Sequence, residues 1–162
     1  MNERAVEIET GTPRLSARCA VGVAEVILND PARHNALSRD MLLALPAIVN
    51  ELSGRHDVRV LVVSGAGGRS FASGADIREI EAAFSGAAAE YEQMYKDALR
   101  AFREAPVPLI AMVDGYCLGA GLHIALTADL RYASDRSTFG IPAARIGLGH
   151  QHTDQLLATV GR

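Results

Sequence analysis

Twice along this chain a short apolar run ends in glycine or other small residues, and each time a helical pattern follows. Val58 to Val63, apolar but for Arg59, runs into Ser64-Gly-Ala-Gly-Gly68, and Leu109 to Val113 runs into Asp114-Gly115. Apolar runs of this length suit strands buried on both faces, as in a parallel sheet. Between them, Ala87 to Ala105 carries Tyr91, Met94, Tyr95, Leu99 and Phe102 at i, i+3 and i+4 intervals, the pattern of an amphipathic helix. A third strand is expected at Leu130 to Ala133. Strands separated by helices imply an α/β domain whose parallel strands are joined by right-handed crossovers.

The N-terminal third reads differently. Val6 to Glu9, Leu15 to Cys19 and Val23 to Leu28 alternate or run apolar, and Gly22 falls where a hairpin turn belongs. Ser38 is placed to cap a helix whose Met41, Leu42, Leu45, Ile48, Val49 and Leu52 recur at helical spacing. Pro46 lies inside it, which predicts a bend or two shorter pieces, since proline removes one backbone hydrogen bond. A chain of 162 residues is expected to form a single domain over 1–162.

Charge and composition exclude several classes of function. There are 16 basic and 19 acidic side chains and no basic stripe interleaved with aromatics, which argues against nucleic acid as a partner. The best apolar run is interrupted by Asp114 and His123, so no membrane span is expected. Cys19 and Cys117 have neither metal-ligand spacing nor the density of a disulfide scaffold and read as buried thiols. His150 and His152 supply too few ligands for a metal site, so no metal is expected. Glu3, Glu7 and Glu9 stand where a signal peptide needs a basic start, and the expected setting is cytoplasmic.

The chemistry is concentrated in Phe71-Ala-Ser-Gly-Ala-Asp-Ile77 and Gly115-Tyr-Cys-Leu-Gly-Ala-Gly-Leu-His123. Small residues where a strand gives way to a helix can present backbone N–H groups to a ligand without obstruction. Two such donors converging on one oxygen make an oxyanion hole, which points to acyl chemistry. Gly65-Ala-Gly-Gly68 offers a rival, the dinucleotide-binding turn. Its third glycine would fall at Ser70, and Arg69-Ser-Phe71 does not start a helix, so that reading is set aside. Asp76, Asp114 and Asp129 read as caps and turns.

Ile27-Leu-Asn-Asp-Pro-Ala-Arg-His-Asn-Ala-Leu-Ser38 resembles the first CoA-binding loop of the crotonase (enoyl-CoA hydratase/isomerase) superfamily. Phe71 to Ile77 resembles the second loop, Pro108 to Asp129 the core motif, and Phe139 to Gly149 the segment after it. The match is colinear from about Val23 to Gly149. This resemblance implies a spiral of β-β-α turns, an acyl-CoA thioester bent into the site, and trimers or paired trimers. No separate cofactor is implied, coenzyme A being part of the substrate.

Carried over residue by residue, the resemblance assigns the two oxyanion donors to the N–H groups of Ala75 and Ala120. The second position is usually glycine, and alanine serves there unless φ must be positive. Ala32, Arg33 and His34, with Ala72, Gly74, Asp76, Ile77, Arg78 and Gly119, match positions bordering the acyl-CoA, where Arg33 or Arg78 could meet phosphate.

The departures matter as much. Where hydratases of the family carry two glutamates, this chain has His123 and Ala143. Alanine moves no proton, so paired-carboxylate hydration is not expected. Near a helix N-terminus the dipole disfavours imidazolium, which suits His123 to act as a neutral general base. The expected function is enolate-type chemistry on an acyl-CoA, with a catalytically inactive acyl-CoA-binding paralogue or a fragment as the alternative. Family members continue past the region of Gly161, so the C-terminal helical region is expected to be missing and the uncovered apolar edge to drive homo-oligomerisation.

Overall fold

A computed structural model describes residues 5–79, 88–142 and 158. The chain opens with three antiparallel strands, β1 (Val6–Ile8), β2 (Leu15–Ala20) and β3 (Val23–Leu28). Helix α1 (Arg39–Ser53) follows, then β4 (Val60–Gly65) and β5 (Ser70–Ala72), α2 (Ala88–Arg103), β6 (Leu109–Val113), β7 (Tyr116–Leu118), α3 (Ala120–Thr127), β8 (Leu130–Ala133) and β9 (Thr138–Gly140).

From β4 onward the order is a spiral. Each turn sends one strand into a six-stranded sheet of order β1-β2-β3-β4-β6-β8 and the next into a three-stranded sheet of order β5-β7-β9. Helices α2 and α3 close the first two turns. All pairings from β3 to β8, and all in the small sheet, are parallel. The large sheet is thus mixed, its antiparallel part being the N-terminal meander.

The core lies between the inner face of the large sheet and the helices. Ala24, Val26 and Leu28 of β3, Leu61 and Val63 of β4, and Leu109, Ala111 and Val113 of β6 are all buried there. Phe71 and Phe102 are fully enclosed, each side chain contributing about 1.5–3 kcal/mol by its removal from water. Across the outer face, Met112 pairs with Tyr132 and Ile110 with Leu130, and Met112, Tyr132 and Leu130 are each about half exposed or more.

Two expectations change. Helix α1 continues through Pro46 as one helix and not as two shorter pieces. Its buried residues lie on both sides of the proline, from Met41 to Leu52, and their packing outweighs one lost hydrogen bond. Ser38 does occupy the N-cap position with extended backbone, but its hydroxyl bonds the Asp40 carboxylate at 2.5 Å instead of a helix N–H. The small sheet holds the second strand of each β-β-α turn that the resemblance implies; local pattern alone does not show it, because its strands have 3 residues each, too short for a period of two.

Candidate active site

The chain after β5 is stitched to the loop after β3. Ser73 N donates to His34 O at 3.0 Å, Leu37 N to Gly74 O at 2.8 Å, and Asp76 N to Leu37 O at 3.0 Å. In this parallel bridge Leu37 uses the groups of Gly74 and Asp76, the neighbours of Ala75. The Ala75 N–H is therefore turned to the opposite side of its segment.

Asn35 locks the loop from beneath. It is fully buried, takes a left-handed φ of 55°, and its amide donates to Ala66 O at 3.0 Å and Ser70 O at 2.7 Å while its Oδ1 accepts from Asp30 N at 2.9 Å. His34, also left-handed, sets its ring edge-on to Tyr116 with centroids 6.4 Å apart.

The second donor segment reaches the first through two glycines. Gly74 (φ 114°) and Gly119 (φ 50°) hold conformations that L side chains rarely adopt. A Cβ built on Gly74 would lie 3.9 Å from the Ala120 nitrogen, and one on Gly119 would lie 3.7 Å from the Gly74 Cα. The two turns are thus in contact, with Ala75 and Ala120 one residue beyond it on each side. Ala120 begins α3, so its N–H is among those that no helical carbonyl can accept. It is absent from the positive-φ residues, the strain being carried by Gly119, and so alanine serves at this position. Helix α3 rides on β5, where Gly121 leaves room for Ala72.

One helical turn past Ala120 lies His123, which is 6% exposed. Its backbone N–H bonds Gly119 O at 3.1 Å, and its Nδ1 is hydrogen-bonded to the hydroxyl of Tyr95 on α2. The two rings are tilted by 46° with centroids 6.1 Å apart. Burial pushes the Tyr95 phenol well above its ordinary ionisation range, with a smaller contribution from Tyr91. Tyr91, one turn earlier, donates to Leu37 O at 3.1 Å. Helix α2 therefore grips both halves of the site with two hydroxyls. Sequence reasoning saw these tyrosines only as members of an apolar helix face. Their spacing of four, with polar tips on a core-facing stripe, was the available signal.

The remaining residues fall into three groups. Arg33 bonds the buried carboxylate of Asp76 at 3.2 Å, and Asp76 Oδ1 accepts from Arg78 N at 3.1 Å, so Asp76 shapes the turn as a cap would. Ala32, Ile77 and Arg78 are exposed, whereas Ala72 is fully buried and could offer a ligand only its backbone. Asp129 bonds Leu109 N at 2.8 Å and Asp114 pairs with Arg136 and Ser134, both structural roles. Burial pushes the Cys117 thiol up to about 12, which keeps it protonated. Ala143, His150 and His152 lie outside the described residues. Among the described residues no cluster of three or more His, Cys, Asp or Glu could hold a metal ion, and no helix is long and apolar enough to cross a membrane.

Comparison with known proteins agrees with this architecture. The family described as Enoyl-CoA hydratase/isomerase matches residues 18–162. The mouse protein named Enoyl-CoA hydratase domain-containing protein 3, mitochondrial, is 36% identical over 138 residues, which are 84% of this chain and 46% of that protein. The Short-chain-enoyl-CoA hydratase of Clostridium acetobutylicum is 33% identical over 141 residues, 86% of this chain and 54% of that one. The crystal structure of an enoyl-CoA hydratase/carnithine racemase from Magnetospirillum magneticum superposes with a TM-score of 0.87 at 30% identity, covering 93% of this chain and 58% of that one. The chain spans about half the length of the relatives it matches. It belongs to the enoyl-CoA hydratase/isomerase family.

Proposed function

We propose that this member of the enoyl-CoA hydratase/isomerase family binds an acyl-CoA thioester with its carbonyl oxygen between the N–H groups of Ala75 and Ala120, and promotes enolate-type chemistry at the α-carbon. The observation that carries this reading is the contact between the Gly74 and Gly119 turns, which sets the two N–H-bearing residues side by side. An enolate oxygen bears more negative charge than a thioester oxygen, so fixed donors stabilise the transition state more than the ground state. Each such donor is worth about 3 kcal/mol.

His123, one turn beyond the second donor, is the side chain assigned to the reacting centre. With alanine at 143, hydration by a glutamate pair is not the reaction proposed. The exposed Arg78 and the loop Ala32-Arg-His34 are assigned to the CoA moiety, Arg33 reaching it only if the Asp76 pairing is shared with phosphate. The half-exposed outer stripe of Met112, Leu130 and Tyr132 supports a homo-oligomer.

A second reading is an acyl-CoA-binding protein without chemistry. It is favoured by the burial of His123 against Tyr95, which also describes a satisfied core histidine. Exchange of the α-protons of butyryl-CoA in deuterated buffer separates the two. Binding with exchange above the buffer rate supports the enzyme, binding without exchange supports the second reading, and no binding by calorimetry removes both.

A further inference from the structure

We infer that the groove at the start of β3 and β4 is a second binding site, for a small phosphate ester with an apolar body: Arg59 and Arg55 meet the phosphate, and Val21 and Val6 meet the rest. The site stands apart from the acyl-CoA reading above. The loop carrying Arg33 and His34 leaves the far end of β3, a strand of 6 residues that spans about 20 Å.

The groove is built from three segments. Val6 of β1, the turn Val21-Gly22 and the stretch after α1 line an open cavity of about 710 Å³, within the size range of small-molecule sites. Its ionisable groups are Arg55, His56, Asp57 and Arg59, together with the buried Cys19 thiol. Two fixed cations thus face one carboxylate.

Contact holds Arg59 in place. Its N–H and that of Val60 donate to Gly22 O, at 2.8 and 3.3 Å, and a Cβ on Gly22 would stand 2.9 Å from the Arg59 Nε. The absence of a side chain lets the guanidinium lie against the turn. Among the described residues no carboxylate pairs with Arg59, whereas Asp57 accepts from Nε and Nη2 of Arg55 at 2.9 and 2.8 Å. The donors of Arg55 Nη1 are left over. One uncompensated guanidinium beside another with spare donors suits an oxyanion with several acceptor atoms.

Val21 supplies the apolar half. It takes a φ of 50° in a two-residue hairpin turn that favours asparagine or glycine, and a β-branched side chain there is strained. The strain gains no burial within the chain, since Val21 is 67% exposed and Val6, in the same groove, is 56% exposed. It does set an apolar surface in a groove lined by two cations, and backbone strain of this kind gathers at ligand clamps. Inorganic phosphate would engage the arginines and leave both valines in water. A phosphate monoester bearing a ring covers them as well, and it carries about −1.5 to −2 charges at pH 7.

Phenyl phosphate is the probe, with inorganic phosphate and phenol titrated separately. The full chain, labelled with ¹⁵N, is followed by amide correlation spectra in phosphate-free buffer. Phenyl phosphate should shift the amides of Gly22, His56 and Arg59 saturably, and more tightly than either fragment. Arg59→Gln should weaken it by about tenfold or more, the weight of one hydrogen bond to a charged group. Val21→Asn, which suits the turn, should weaken phenyl phosphate about threefold and leave inorganic phosphate unchanged. The inference is overturned by any of three results: no saturable shift at Gly22 and Arg59, equal affinity in wild type and Arg59→Gln, or phenyl phosphate binding no more tightly than inorganic phosphate. Shifts confined to Ala75 and Ala120 would place the phosphate in the candidate active site and also overturn it. Failure of butyryl-CoA to bind would count against the proposed function and not against this groove.

Discussion

Gly121 lies directly on Ala72: a Cβ on the glycine would sit 2.6 Å from the alanine Cβ and 2.7 Å from its carbonyl oxygen. Neither position can retreat, since one is in a helix and the other in a fully buried strand. Gly121→Ala should therefore push α3 off β5, costing about 1–3 kcal/mol of stability by overpacking. It should also weaken acyl-CoA binding, because Ala120 moves with the helix. Thermal melts together with calorimetric titration of butyryl-CoA check both effects; an unchanged affinity would remove Ala120 from the binding site.

Asn35→Ala should destabilise by about 2 kcal/mol or more, since it leaves the carbonyls of Ala66 and Ser70 without their amide donor in the interior. Urea unfolding measures the loss. Asn35→Asp retains an acceptor toward Asp30 N but not the donors, and should not restore the stability.

His123→Ala should slow α-proton exchange of butyryl-CoA by about 100-fold while leaving affinity within about threefold, because the proposed binding mode rests on backbone donors and the loops assigned to the CoA moiety. Equal exchange in variant and parent would show that the imidazole takes no part in the reaction.

Asp40 gives a pH dependence. Burial opposes its ionisation, but hydrogen bonds from Ser38, Thr12 and Arg14 prevail and hold its carboxyl at about 2, below the ordinary 3.8. A depressed folded-state value adds stability above the ordinary value, lost as pH falls from about 4 to about 2. The side chain is 40% exposed, so the contribution is about 1 kcal/mol or less. Melting temperatures of wild type and Asp40→Asn should differ at pH 6 and converge toward pH 2.

On the outer face, Tyr132 is 63% exposed beside Met112 at 52%. Tyr132→Glu should reduce self-association in sedimentation velocity at high protein concentration. A wild-type chain that stays monomeric across the range would exclude this stripe as an interface.

The strands of the large sheet and the two longer helices were legible because burial on one or both faces imposes a clear period on six or so residues at a time. Leu109–Val113 lies where its apolar run places it and is buried along its inner face, whereas Leu130–Ala133 forms the expected strand but, at the end of the described large sheet, is exposed at all four residues and not buried as its run suggests. The small sheet was not legible, because a strand such as Ser70–Ala72 has 3 residues and owes its existence to a partner 46 residues away. In the site, the glycines announced the two turns, but their contact is a tertiary fact that spacing alone does not contain. Tyr95 was hidden for a related reason: its ring obeys the helix period, and only its hydroxyl has a further role. Asn35 left a fainter trace, a residue tolerant of left-handed backbone standing in a turn.

The small sheet has a kinetic consequence. Ser70 pairs with Tyr116 and Tyr116 with Thr138, so every strand in it must find a neighbour far along the chain, after the loops between have been closed. Contacts of such long range are slow to form, whereas the hairpin of β2 and β3 needs only a local turn. Because the segments bearing Ala75 and Ala120 extend from this sheet, past the ends of β5 and β7, their approach is expected to come late in folding. A chain in which β5 and β7 had yet to pair would keep most of its secondary structure and, on the proposed function, still be blind to acyl-CoA, so ligand capture after refolding from urea should lag the recovery of helical signal.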